Sequence, residues 1–490
     1  MVAVAMAVSV GSPARSYDAE AELQNLTKGF ERQSLYMSPR GQVLMREISQ
    51  ANLISSLRAQ AGDPERLFET NLCARGDDAC VGDARLYDWQ RRGYGLVAPV
   101  LFTARNGATL SGHVWATRTG PRRRPGVVIT NGSIQAPEQA YWYAAQALAK
   151  SGYVVLTWDP QGQGQSDTVG SGVDIYEGTH SQTDGRPFYD GTVDALDFFL
   201  STPARPFKPR PSCESGTSHA AKQHRRARSG LNARANPFSG LLDRSRIGLI
   251  GHSYGAGGVS YVGQADPRVS AIVAYDNLGG ADPRRVIGEG TPKGCPADPS
   301  QRKAVPYTKP ALGLSADYNV SVPHTNDPDP TEKSTASLAY SKAGVDTGQI
   351  VIRGGTHLDF SFLSNPGFPA TLRGADLIAW YTVAWMDKYV KGDPKADIRL
   401  LTHRWRRDAA GAAVDPTGDP NDFSVYYRSR LDVRLESGAR FRCEDLRSGC
   451  RGMVRQDGFR GRYSYLRLAT SPDGQGSTRG ARGLRQDAWR

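Results

Sequence analysis

The pentapeptide Gly251-His252-Ser253-Tyr254-Gly255 comes at the end of the apolar run RIGLIG at residues 246–251. A serine at a sharp strand-to-helix turn presents its hydroxyl outward. The residues two places away on either side must then be tiny, because the backbone folds closely against them. Gly251 and Gly255 meet that need, and Ala256, Gly257 and Gly258 let a following helix start in close contact. A helix N-terminus also favours negative charge developing beside it. Ser253 is therefore the expected nucleophile. A serine hydroxyl reacts poorly until a base takes its proton. Of the eight histidines, His357 follows a strand-like run (QIVIRG, 349–354) across a short loop. His113 falls in a hairpin, His180, His219 and His224 in irregular stretches, and His252 inside the turn itself. His324 comes one strand earlier, and His403 lies beyond the last run.

Such a base needs a carboxylate to orient its ring and stabilise the protonated form. Asp317 follows the run ALGLS (311–315) almost directly and is the expected partner. Asp276, which ends AIVAYD one run earlier, is the alternative, and Asp327, Asp329 and Asp359 stand in less suitable contexts. Attack on a carbonyl also requires two backbone N–H donors for the oxyanion. Tyr254, next to the serine, should supply one. Ser133, in the loop after GVVIT (126–130), should supply the other, with its neighbour Ile134 as the alternative.

The elements that would position these residues are short apolar runs separated by helical patterns. LFTARNGATLSGHVWAT alternates apolar and polar residues around Asn106-Gly107, a hairpin signal. GVVIT, YVVLTW (153–158), RIGLIG, SAIVAY (270–275), ALGLS and QIVIRG follow. Glu138 to Lys150 and Tyr189 to Leu200 read as amphipathic helices between them. The pattern predicts an α/β fold, with a mainly parallel central sheet and helices on both faces. The expected organisation is an N-terminal mostly helical segment at 15–93 and a catalytic domain at 94–396, interrupted by an irregular insertion at 203–243. A C-terminal extension follows at 397–465, with strand-like pieces FSVYYRS and LDVRL, and then a Gly/Arg/Ser-rich disordered tail at 471–490.

These residues resemble the α/β-hydrolase superfamily over about residues 94–395. Trp158-Asp159-Pro160-Gln161-Gly162-Gln163-Gly164-Gln165-Ser166-Asp167 is similar to the DxRGxGxS loop after the fourth strand of that family, with Gln161 in place of the usual arginine. The order Ser253, Asp317, His357 matches the family. ALGLSADYN and GGTHLDF look like secreted bacterial esterases of the dienelactone-hydrolase-like and cutinase-like kinds. The resemblance implies acyl transfer in two steps through an acyl-enzyme, with no metal or organic cofactor, on a small or polymeric ester. A peptidase or amidase on the same fold is one rival. The roughly 90 residues before the domain are too few and too helical for the β-propeller that prolyl-oligopeptidase relatives carry. A non-catalytic binding protein on this scaffold is the other, although such proteins usually lose a triad member.

Composition narrows the partners. The chain has 490 residues and a formal net charge of +12. Its densest basic run, KQHRRAR at 222–228, lacks aromatic residues for stacking bases, so an exposed insertion is expected and no nucleic-acid partner. No apolar stretch is long enough to span a membrane. The start, MVAVAMAVSV followed by Ser12-Pro13-Ala14, looks like the end of a secretory signal occupying 1–14. Six cysteines agree with export. Cys73/Cys80 and Cys443/Cys450 form two loops of equal spacing, which leaves Cys213 and Cys295 to pair. The acidic loop DPDPTE (327–332) lacks EF-hand spacing and reads as solvated. Tyr141, Trp142 and Tyr143 either line an acyl pocket or form the buried face of the first helix.

Overall fold

The computed structural model describes residues 17–31, 39–68, 70–90, 93, 95–133, 136–178, 185–280, 304–318, 323–324, 327–365, 368–406 and 408–457. The expected signal segment, Ile134, His180, Cys295 and the C-terminal tail lie outside them.

The apolar runs become strands: β1 Gly95–Thr103, β2 Thr109–Thr117, β3 Arg124–Thr130, β4 Val154–Trp158, β5 Leu242–His252, β6 Val269–Tyr275, β7 Ala311–Ala316 and β8 Thr347–Ile352. A small hairpin (β9 Ser364–Asn365, β10 Phe368–Pro369) follows, then β11 Thr402–Trp405, β12 Arg430–Arg434, β13 Arg440–Cys443 and β14 Val454–Gln456. One sheet runs β1-β2-β4-β3-β5-β6-β7-β8-β12-β13. Pairing is parallel from β4 through β8, and antiparallel at the β1–β2 edge, at β2–β4 and at β12.

Side chains alternate across a strand, so continuous apolar runs can feed two cores. Val127 and Ile129 of β3 face a layer containing Leu148 and Trp385, from the helices Trp142–Lys150 and Leu372–Met386. Val128, between them, faces Phe198 and Val259 from the helices Arg186–Phe199 and Tyr254–Ala265. The chain is thus α/β, with a large mixed but mostly parallel sheet flanked by helices. No helix among the described residues is long and apolar enough to cross a membrane. Disulfides join Cys73 to Cys80 and Cys443 to Cys450. Cys213 is also disulfide-bonded.

Two sequence expectations change. The basic run is a helix, Ala220–Arg228, not a loose exposed segment. Arg226 is buried and bonds Asp63 at 2.8 Å, while Gln223 accepts from the Thr103 amide of β1 at 3.0 Å. Helical spacing puts these two residues on the face turned inward. The described part of the 397–465 extension, up to residue 457, also joins the main sheet. β12 hydrogen-bonds to β8 and extends the main sheet, whereas most of FSVYYRS stays irregular.

The N-terminal helix Ala19–Glu31 is tied in by charge. Glu22 is fully buried and meets Arg353 at 2.8 Å, and Arg353 meets Asp317 at 2.6 Å. Tyr426 donates to Glu22 at 3.1 Å. Arg353→Met would strand two buried carboxylates, at an expected cost of about 3–5 kcal/mol. Urea unfolding at constant m-value measures this, and a loss below about 1 kcal/mol would mean that solvent already shields the cluster.

Candidate active site

The order β4-β3-β5 means that the chain leaves β3 toward one side of the sheet and enters β5 on the other. Such a reversal opens a crevice at the carboxyl ends of the strands. Register sets the depth: Thr130 is level with Gly251, and His252 with Tyr275. The loops after β3, β5 and β6 therefore start side by side.

Ser253 directly follows β5, with φ 54° and ψ −118°. A non-glycine residue with that backbone is strained and persists only where its surroundings enforce it. The Ser253 amide donates to Tyr275 O at 2.9 Å, and its carbonyl accepts from Gly257 at 3.2 Å, opening the helix Tyr254–Ala265. A Cβ on Gly251 would lie 2.1 Å from the Gly255 carbonyl oxygen, and one on Gly255 would lie 2.3 Å from that of Asn131. The small-residue requirement read from the sequence is thus a backbone contact. Tyr254 is the first residue of the helix, where amide donors lack intrahelical acceptors.

His357 sits in a short turn after β8. Its ring packs on that of His252, the residue before Ser253, with centroids 4.5 Å apart. Its Nδ1 lies 2.7 Å from the Asp276 carboxylate, which leaves Nε2 free of that bond. Burial raises the pKa of Asp276, but the His357 ring and the Lys333 charge outweigh it and hold the carboxyl below the ordinary aspartate range.

Asp317, the expected partner, is placed elsewhere. It is level with Arg353, one step past the Ala316–Ile352 pair, and the guanidinium takes one oxygen. The Gly354 amide bonds the same carboxylate at 3.0 Å, and the Ser424 hydroxyl donates to its other oxygen. The partners of this fully buried carboxylate are thus a guanidinium, an amide and a hydroxyl, and no imidazole is among them. The carboxylate that His357 meets is therefore Asp276, the alternative read from the sequence, and not Asp317. Asp329 caps its own turn through Thr331, and Asp327 accepts from the Tyr17 amide.

Asp359 also has a role, though not as the orienting acid. Its buried carboxylate accepts from Thr356 N at 3.0 Å and from both the amide and the hydroxyl of Thr371. It thereby clamps the turn carrying His357 to the start of the helix Leu372–Met386. Burial outweighs these hydrogen bonds and raises its pKa from 3.8 to about 7.

On the opposite side, Ser133 is half-buried at the end of the described part of its loop. A Cβ on the preceding Gly132 would lie 3.2 Å from Ser253 Cβ, so this loop lies against the elbow. Asp159, from the DPQGQGQSD loop, accepts from Asn131 Nδ2 at 3.0 Å and Glu138 N at 2.7 Å. It joins the two ends of the loop that holds Ser133. Burial and the charge of Glu138 raise the Asp159 pKa to about 7. Tyr141, Trp142 and Tyr143 are buried in the core beneath, which resolves their two readings in favour of packing. The sequence offered Asp359 as a weaker orienting acid, Tyr141 as a pocket or core residue and Asp159 as part of a family-like loop; their positioning contacts were not legible there, because only their partners define them. A small cavity of about 20 Å³ lies among Arg105, Glu177, Arg186, Asp190 and Asp194, and no site residue lines it.

Comparison of the chain with protein-family models and with curated proteins finds no match.

The Asp359 shift has a definite sign. Because the folded state holds the proton more tightly, this contribution to stability is full below about pH 4 and is lost as pH rises to about 7. Asp359→Asn should flatten that part of the decline in urea midpoint measured between about pH 4 and about pH 8. Asp159 and Asp422, also raised to about 7, should retain the remainder. Equal pH slopes in variant and parent would contradict the assignment.

Proposed function

We propose that this chain is a serine hydrolase of the α/β-hydrolase type that cleaves carboxylic esters through an acyl-enzyme. The observation that carries the proposal is the 2.7 Å bond between His357 Nδ1 and Asp276, with the imidazole packed against the strained elbow of Ser253. Support also comes from topology: an antiparallel hairpin at the sheet edge, the serine after β5 and the histidine after β8 agree with the superfamily that the sequence resembles. In this reading the catalytic domain spans 94–396, with 397–465 as its extension.

His357 Nε2 takes the Ser253 proton as the hydroxyl attacks the carbonyl carbon. Asp276 holds the ring in the Nδ1–H tautomer and stabilises the imidazolium. The amides of Tyr254 and Ser133 receive the oxyanion. Imidazolium then protonates the leaving alkoxide, and His357 next deprotonates a water that releases the acid. No step calls on a metal or organic cofactor. The helical character of the N-terminal segment supports an esterase over a propeller-gated peptidase. The two disulfides support an extracellular setting.

Ser253→Ala and His357→Ala should abolish hydrolysis of p-nitrophenyl acetate. Asp276→Asn should lower kcat by about 10⁴-fold through the wrong tautomer. Asp317→Asn should lower stability yet leave kcat within about tenfold. Initial rates beside thermal melts separate the two aspartates, and the reverse pattern would reinstate Asp317. Faster turnover of peptide anilides than of esters would favour a peptidase. A fluorophosphonate that leaves Ser253 of the folded chain unmodified would favour a binding protein.

A further inference from the structure

The two amides proposed to receive the oxyanion come from loops far apart in sequence, after β3 and β5. Something must hold them at one separation. Gly132 N donates to the Tyr141 hydroxyl at 2.9 Å, and the same oxygen lies 2.8 Å from His252 Nδ1. Gly132 immediately precedes Ser133, and His252 lies two residues before Tyr254. One phenol thus touches the residue before one donor and the residue two places before the other. Tyr141 is 0 % exposed, so water cannot substitute for either bond.

The direction of each bond follows from chemistry. An amide N–H can only donate, so the phenol oxygen accepts from Gly132; with Nδ1 of His252 unprotonated, the phenol proton goes to that nitrogen, and Ser361 is a further hydrogen-bond partner of the hydroxyl. That direction belongs to the neutral His252 ring with its proton on Nε2. Burial, followed by the nearby His357 ring, pushes its pKa well below the ordinary histidine range, in agreement. The arrangement also spends the Gly132 amide, so that the donor from that loop has to come from a later residue, Ser133 in the reading above.

We propose that the Tyr141 hydroxyl and the His252 ring form a positioning pair that sets the separation of the two oxyanion donors. Its kinetic consequence rests on the hydrolase reading; its structural core, the locking of Gly132 to the elbow, does not.

The test compares Tyr141→Phe with the parent on a p-nitrophenyl ester and on the matching thionoester. Sulfur accepts hydrogen bonds weakly, so the thionoester draws little from the oxyanion donors. Tyr141→Phe should lower ester kcat about tenfold to a hundredfold, short of the roughly 100- to 1000-fold loss of a whole donor. KM should stay within about twofold and the thionoester rate within about threefold. A merely structural loss would lower both rates together, and that outcome overturns the proposal. His252→Asn, whose amide oxygen can replace the Nδ1 acceptor, should retain most of the ester rate. His252→Phe should match Tyr141→Phe, and the double variant should be no worse than either; additive losses would overturn the pair. Hydrogen exchange at Gly132 should quicken in Tyr141→Phe while β3 and β5 keep their protection. If the parent gives no Ser253 adduct with a fluorophosphonate, the hydrolase reading falls and this exchange decides the inference alone: unchanged protection at Gly132 overturns it.

Discussion

At the crossing of the β3 loop and the helix after β5, the backbones approach until no side chain fits between them. The Cβ of an alanine at position 255 would lie 2.3 Å from the Asn131 oxygen and 2.6 Å from that of Thr130. This contact brings the ends of two strands, separated by more than 100 residues of chain, to one point. It also requires the sharp turn that leaves Ser253 at positive φ. The strain of one residue is small against the packing of two cores that use β3 and β5 as shared walls. The proposed nucleophile is thus presented by the sheet itself.

Low dielectric then governs the surrounding charges. A buried carboxylate persists only when hydrogen-bonded or paired, so each acid in this region is bound to the nearest donors. Asp317 has Arg353, Gly354 and Ser424. Asp359 has Thr356 and Thr371, and Asp159 has Asn131, Glu138 and Gln165. Asp276 keeps a side chain 12 % exposed and turns toward His357. Of these four acids it alone meets an imidazole.

That competition explains what could be read from residues alone. Periodicity located the strands β3 to β8 within a few residues, because continuous β-branched runs need burial on both faces. The elbow was legible because its glycines answer a local steric demand. The choice between Asp317 and Asp276 was not local. Both aspartates end strands, and the deciding groups are a guanidinium at 353 and a carboxylate at 22, joined to Asp317 only by folding. Arg226 was misjudged for the same reason: its burial depends on Asp63, far away in sequence. The chemistry of a buried ion is written in its partners, and the partners are distant.

The same distances show that the flanking segments are more than decoration. Glu22 of the N-terminal helix and Val414 O from the C-terminal stretch both bind Arg353. Arg373, packed against Asp408, donates to the Arg353 carbonyl at 3.1 Å. Arg353 directly follows β8 and lies four residues before His357. β12 pairs with that strand along its outer edge. A histidine loop at the rim of a sheet would normally move with its edge strand. Here β8 is covered on the far side and bolted at its tip by residues from both ends of the described chain. The placement of one imidazole is therefore a property of the whole fold, and segments lying outside a minimal α/β core share in setting it.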